Sequence, residues 1–254
     1  MAGFPVKQVS NAVALDERPA RWRIGVIALA TDHTTERDFY AICPADEVGV
    51  YVSRVVNENP ISAENLRAMQ PRLQEAAALI LPDETVDAIA YSCTSASAMI
   101  GDDTVRNSIQ AAKPGVPCVT PTSGAIAAFK TLGVNKVSVL TPYPRDVSAY
   151  LADYFESLGL EVQSVDYMNV TDDRDMARVT PATIVEAAEA AMVPEAEALF
   201  ISCTALRGVS AVQTLEERLG KPVVSSNQAM IWQTLRAAGC ETRRQGYGRL
   251  LAEH

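Results

Sequence analysis

The chain has 254 residues, of which 48% are apolar and 21% charged, with a formal net charge of −9. This length holds one large domain or two smaller ones, each with its own core, and the composition is that of a globular protein. The acidic balance excludes nucleic acid and anionic membrane as general partners, because no basic face is present to displace counterions; a small anion bound at helix N-termini stays compatible with it.

Residues 1–21 read as a peripheral arm. They carry neither an apolar leader core nor a small-residue cleavage pattern, so a soluble, cytoplasmic protein is expected. Residues 23–29 (RIGVIAL) are apolar and β-branched, and 47–55 (EVGVYVSRV) alternate; both predict strands. A helix is predicted over 59–81, with Ser62 as its N-cap. A strand over 86–92 ends at Cys93, a helix over 102–115 stops at Pro114–Gly115, a short strand follows at 116–120, and a helix over 122–133 ends at Gly133.

The order then repeats. Strands are predicted over 136–143, 160–168, 196–202 and 221–226, and helices over 146–159, 180–192, 209–220 and 227–239. Thr180 is the expected cap of the second of these helices, with Pro181 in its first turn. Cys93 and Cys203, each within Ser-Cys-Thr at a strand end, lie 110 residues apart; Pro117 and Pro222 lie 105 apart, and Gly133 and Gly239 106 apart. Two copies of one element order predict an α/β fold of two pseudo-symmetric parallel-sheet lobes with helices on both faces. The expected division is an arm of 1–21, a first lobe of 22–121 with 226–254, and a second lobe of 122–225. Parallel sheets bind ligands beyond the carboxyl ends of their strands, so the active site is expected in the cleft between the lobes.

Five cysteines (43, 93, 118, 203 and 240), none at C-x-x-C spacing, argue against a disulfide framework, and two histidines leave a zinc site short of ligands. Neither a G-x-G-x-x-G after the first strand nor a phosphate-binding P-loop occurs, so no nucleotide cofactor is expected. A buried cysteine at a strand end is most often a small core residue. Two in matched contexts, each followed by hydroxyls, point instead to a pair of thiols facing one cleft. A thiol beside a helix N-terminus is expected to ionise more readily. A thiolate and a thiol on opposite faces of a carbon form a base and an acid, or one thiolate adds to a double bond and later leaves. Thr94, Ser95, Thr204 and Ala205 offer hydroxyls and amides suited to an anion, which is also the geometry of helix capping.

The Ser-Cys-Thr-Ser and Ser-Cys-Thr-Ala segments at matched strand ends resemble the aspartate/glutamate racemase superfamily. Within it the chain is most similar to the maleate isomerase and arylmalonate decarboxylase branch. Its stretch IGVIALATDHTTERDFY is especially like the ectoine-utilisation members, and VLTPYPRDV resembles that branch's Thr-Pro-Tyr segment. The resemblance spans roughly residues 22–250. It implies a reaction with no metal or organic cofactor, with Cys93 and Cys203 as acid and base or as nucleophile and acid. It also implies that Thr94, Ser95, Tyr143, Thr204 and Asn169 hold a carboxylate.

Maleate isomerases resemble Ser-Ser-Asn-Thr-Thr in the first loop, where this chain has Thr-Asp-His-Thr-Thr, placing His33 where the carboxylate-binding Asn would stand and Thr34 after it. Asp32 there would repel a second carboxylate or reach an ammonium group; alternatively, Asp32 and Thr34 cap the next helix and His33 is exposed. The expected function is a racemase or isomerase of a small carboxylate, an amino acid or a maleate-like dicarboxylate. The alternatives are a cofactor-free decarboxylase of a malonate-type substrate, needing one thiol, and a non-catalytic binder of a small metabolite. A homo-oligomer is compatible with all three. The acidic run 172–175 (DDRD) reads as solvated loop or cap.

Overall fold

The structure is a computed structural model that describes residues 4–254; Met1–Gly3, the start of the expected arm, lie outside the described residues. Residues 4–21 form no helix or strand, and Arg18 ties the end of this stretch to Asp87 at 2.6 Å. Among the described residues no helix is long and apolar enough to cross a membrane.

Strands β1 (Trp22–Leu29), β2 (Val48–Val55), β3 (Ala88–Tyr91) and β4 (Cys118–Val119) form one parallel sheet in the order β2-β1-β3-β4. Strands β5 (Lys136–Thr141), β6 (Glu161–Tyr167), β7 (Ala198–Ile201) and β8 (Val223–Ser225) form a second in the equivalent order β6-β5-β7-β8. The inner strands β3 and β7 are buried along their whole length, which is why they read as unbroken apolar runs. In each sheet the chain reverses its direction of progress between the first and third strands. The crevice beyond their carboxyl ends is the topological switch point, the preferred ligand position in this fold class.

The predicted helix over 59–81 is divided into α2 (Ala63–Arg67), a 3₁₀ turn (Gln70–Arg72) and α3 (Leu73–Ala78). Pro71 at the turn cannot donate the amide a continuous helix needs. Ser62 caps α2 by accepting from the Asn65 amide at 3.2 Å. Two helices expected without bounds are located: α1 (Thr35–Ile42) follows β1 and the Asp32–Thr34 turn, and α4 (Thr94–Ile100) begins directly at Cys93. Gly101, at φ 90°, separates α4 from α5 (Asp102–Gln110).

The 105-residue offset has a structural origin. Helix α6 (Pro121–Leu132) follows β4, and α11 (Ser226–Ala237) follows β8. Each opens on a reciprocal capping box, Thr120 with Ser123 and Ser225 with Gln228. The two helices pack on each other, with α11 lying on β3 and β4 of the first sheet and α6 against β8 of the second. Their close approach depends on Gly124: a Cβ there would sit 2.9 Å from the Ala229 carbonyl and the Met230 amide nitrogen. In the second half, α7 (Arg145–Ser157) sends Phe155 against Phe200 of β7, ring edge to face at 5.1 Å.

Gly124→Ala therefore sets a methyl group against backbone that cannot turn aside. We expect a loss of about 1–3 kcal/mol in urea unfolding, in line with other overpacked cores.

Candidate active site

Both Ser-Cys-Thr segments sit at the switch points, one per sheet, and they are tied to each other. The Thr94 hydroxyl donates to Ser226 Oγ at 2.8 Å, and the same Ser226 oxygen accepts the Cys203 amide at 3.0 Å. In the opposite direction, Thr204 Oγ1 donates to the Ser92 carbonyl at 3.2 Å. The Thr204 carbonyl accepts from the Thr34 hydroxyl and from Asn227 Nδ2, the latter at 2.9 Å. Cys203 itself holds φ 91°, a left-handed conformation that costs a non-glycine residue about 1–3 kcal/mol. The Ser226 contact at its amide is one of the restraints that hold it there.

The expectation that each cysteine directly precedes a helix holds for Cys93, the N-cap of α4. Cys203 instead opens an irregular turn, and α10 (Val209–Leu219) begins six residues later. The Ala205 and Leu206 amides of that turn face the Cys203 sulfur, as the Ala96 amide faces Cys93.

The two side chains are 4% and 6% exposed and close enough for a charge on one to act on the other. Tyr143, following β5 and 1% exposed, accepts from Ser202 Oγ at 3.2 Å, and its hydroxyl neighbours the Cys203 sulfur. Tyr91 lies beside Cys93 and donates to Met69 Sδ at 3.8 Å. Ser95 Oγ is 3.7 Å from Cys93 Sγ.

A short helix covers the space around the thiols. In α8 (Asp173–Met176), Asp172 caps by accepting from the Arg174 amide at 2.9 Å, and Met176 Sδ lies 3.6 Å from Cys203 Sγ. Asp173 is 5% exposed and reaches across to the first half, where Oδ2 accepts from Thr31 Oγ1 at 3.1 Å and from Asn57 Nδ2 at 2.9 Å. The Ile61 amide donates to the Thr171 carbonyl at 2.9 Å beside it. Arg207 holds the exit of this segment by donating to the Val179 and Arg178 carbonyls. Asp173 therefore departs from the reading of 172–175 as solvated loop or cap, which fits Asp172. Its signal in the sequence was position: the run follows β6, at the same sheet end as both thiols.

Burial, and then the Asp173 charge, pushes the Cys93 thiol up to about 12; the Ala96 amide and Ser95 hydroxyl oppose this without winning. Burial and Asp173 likewise push Cys203 up, against the Ala205 and Leu206 amides. The expected easier ionisation beside a helix N-terminus is thus outweighed by desolvation in the closed chamber. Asp173 is itself raised, first by burial.

The remaining sequence candidates divide by location. Thr34, Thr94, Ser95, Tyr143, Thr204 and Ala205 are buried around the two thiols or the turn that carries Cys203. Asn169 is exposed at φ 58° beyond β6, where the adjacent Val170 amide donates to the Pro142 carbonyl at 2.8 Å. His33 is exposed and lines an open hollow of 520 Å³ with Asp32, Arg37, Tyr40 and Arg54. A second hollow, of 490 Å³ and lined by Asp102, Arg106, Lys130 and Tyr154, also includes neither thiol. Of the two readings of the first loop, the capping one fits for Asp32. Its carboxylate accepts the Thr34 and Thr35 amides at 2.7 and 2.8 Å, at the start of α1. The Thr34 side chain does not cap; it spans to the Thr204 carbonyl.

Two parallel sheets in one strand order, with a buried thiol at each switch point, define a two-lobed α/β architecture built around paired cysteines. The chain belongs to the arylmalonate decarboxylase family, whose model matches residues 57–251. Maleate isomerase of Alcaligenes faecalis is 27% identical over 248 residues, spanning 91% of this chain and 96% of that protein. Arylmalonate decarboxylase of Bordetella bronchiseptica is 37% identical over 144 residues, 55% of this chain and 59% of that protein. A Nocardia farcinica maleate cis-trans isomerase mutant with a covalently bound succinylcysteine intermediate superposes with a TM-score of 0.84 at 22% identity, over 92% of this chain and 99% of that one. The resemblance to the maleate isomerase and arylmalonate decarboxylase branch is thereby established; the finer likeness to its ectoine-utilisation members rests on the sequence stretch alone.

Two outcomes follow. In the unliganded chain, alkylation of Cys93 and Cys203 by iodoacetamide should be slow at pH 8 and still rising at pH 10, whereas the urea-unfolded chain should follow an ordinary thiol near about 8.5; mass spectrometry of the labelled peptides reads both. Asp38, which accepts from Asn227 Nδ2 at 2.7 Å, is raised by burial to about 7. A raised carboxyl stabilises the fold fully below its unfolded value near 3.8 and loses that contribution as pH climbs through about 7. Asp38→Asn should therefore flatten the fall in melting temperature between those two pH values and raise it at neutral pH.

Proposed function

We propose that the chain is a cofactor-independent racemase or isomerase of a small carboxylate, with Cys93 and Cys203 acting on the substrate from opposite sides. The observation that supports this reading is the nearness of two buried thiols, one at the end of each sheet's inner strand, beneath α8. The same reading divides the chain into a first lobe of 22–121 with 226–254 and a second of 122–225, supported by the way α11 lies on the first sheet and α6 on the second.

In racemisation, one sulfur as thiolate takes the proton from the carbon beside the carboxylate. The electron pair passes into the carboxylate as an enediolate, and the opposite thiol returns a proton to the other face, leaving its own sulfur charged. In cis-trans isomerisation, the thiolate adds to one alkene carbon while the second thiol protonates its neighbour. The carbon–carbon single bond then turns, the proton is taken back, and the carbon–sulfur bond breaks. A covalent cysteine adduct in the Nocardia farcinica enzyme supports the second course as chemistry available to this architecture.

Neither thiolate is a strong base for such a proton, and each tenfold in rate needs about 1.4 kcal/mol of transition-state stabilisation. In this reading it comes from donors to the enediolate: the backbone amides of Thr94, Ser95, Thr204 and Ala205, and the Ser95 and Tyr143 hydroxyls, since the Thr94 and Thr204 hydroxyls already donate to Ser226 and to the Ser92 carbonyl. Thr34 holds the turn that carries Cys203. Asn169 and His33 remain in the proposed substrate-binding set, and both are exposed at the surface.

Decarboxylation of a malonate-type substrate is the second reading, favoured by the family match itself. It needs one thiol, Cys203, to protonate an enediolate.

Incubation in deuterium oxide with small carboxylates separates these. Racemisation or isomerisation should be lost by a factor of about 10³ or more in Cys93→Ala and in Cys203→Ala alike, as expected when an acid or base is removed. Release of carbon dioxide that survives Cys93→Ala but not Cys203→Ala would establish the decarboxylase instead, and full turnover in both variants would reject both readings.

A further inference from the structure

Asp173 is a buried acid with no basic side chain paired to it among the described residues. Its Oδ2 accepts from Thr31 and Asn57, both neutral, while Oδ1 has no hydrogen-bond partner among the described residues. No ion pair engages it among the described residues either. Asp173 and Met176 lie three positions apart on α8 and so share a face, and Met176 is in contact with the Cys203 sulfur. That face points at the thiols, and the charged side chains acting on them are Asp173 and, at Cys93, Asp32.

A buried carboxylate in this position is costly unless a cation meets it. The other acidic group nearby is already satisfied, since Asp32 is taken up by the amides that open α1 and by the Thr35 hydroxyl. The chamber is therefore polarised, with amide donors of the two Ser-Cys-Thr turns on one side and an uncompensated acid on the lid. A molecule carrying one carboxylate and one ammonium group complements both sides. A dicarboxylate would place its second negative charge against Asp173.

We infer that Asp173 is the specificity-determining residue of this chamber, holding the ammonium group of a zwitterionic substrate, so that the substrate class is an amino acid. The inference rests on the reading of Cys93 and Cys203 as the reacting pair. Binding would also couple recognition to chemistry. The ammonium group offsets the Asp173 contribution that adds to burial in keeping both thiols protonated, so a thiolate forms more readily with an amino acid present than with a dicarboxylate.

The test uses the full chain in deuterium oxide with both enantiomers of the proteinogenic amino acids, and with maleate, succinate and methylmalonate. Deuterium incorporation and isomer formation are followed by mass spectrometry and chiral chromatography. At least one amino acid should react with kcat/KM about tenfold or more above any of the three dicarboxylates. In Asp173→Asn its KM should rise about tenfold or more with kcat within about threefold, the signature of lost binding, and Asp173→Glu should recover part of it. A melting temperature for each variant separates these effects from misfolding, which would lower the active fraction and hence kcat while leaving KM in place. A cysteine-dependent reaction that prefers a dicarboxylate, or an unchanged KM in Asp173→Asn, overturns the ammonium assignment and leaves the cysteine pair standing. Activity that persists in both Cys93→Ala and Cys203→Ala overturns the reading of the pair, and a panel in which nothing reacts overturns both.

Discussion

The hydroxyl of Ser226 is the point on which the two halves depend. It accepts from Thr94 of one Ser-Cys-Thr turn and from the Cys203 amide of the other, so a single oxygen fixes the spacing of both sulfur-bearing turns. The reciprocal contact from Thr204 to the Ser92 carbonyl closes the arrangement from the other side. Because all of these groups are buried, losing any partner would leave a donor or acceptor unmet, at a cost of about 1–3 kcal/mol. The left-handed backbone at Cys203 is held inside this frame, with its sulfur against Met176 of α8.

The chamber resolves a conflict between two electrostatic tendencies. Amides at the start of α4 and in the turn after β7 favour a thiolate, while removal of water disfavours it. In the closed form the second effect dominates at both sulfurs, and the lid's own carboxyl adds to it. A pair of thiols kept neutral until the chamber is occupied is protected from oxidation and alkylation, since the thiolate is the reactive species. In the proposed reading, substrate binding has to offset this before either sulfur can react.

Much of this was legible in the sequence, for reasons that differ by element. The inner strands were readable because a strand buried on both faces is an unbroken apolar run. The duplication was readable because Ser-Cys-Thr recurs at corresponding strand ends. Helix α9 (Pro181–Ala191) announced itself through its cap, Thr180, and α6 through its stop at Gly133, whereas the cap Thr120 reads as the end of the preceding strand. The stretch 59–81 read as one helix because its apolar spacing continues through Pro71, and spacing alone does not register the missing amide. Asp32 and Asp173 could not be told apart as cap and chamber residue: both are aspartates before a short helix, and what separates them is which groups the rest of the fold brings within 3 Å. The thiol environment was the least legible part, because desolvation depends on the lid, and the lid is a four-residue helix with no periodicity to reveal it.

The exchange of helices between the sheets has a bearing on how the protein is made. The helix that covers β3 and β4 is α11, encoded more than a hundred residues after those strands. On the ribosome the first sheet must wait, with that apolar flank bare, until Ser226–Ala237 have emerged. Such long-range closure slows folding and lengthens the interval in which a nascent chain can stick to its neighbours. The yield of this protein in a cell is therefore set as much by what shelters the half-made first sheet as by the stability of the finished molecule.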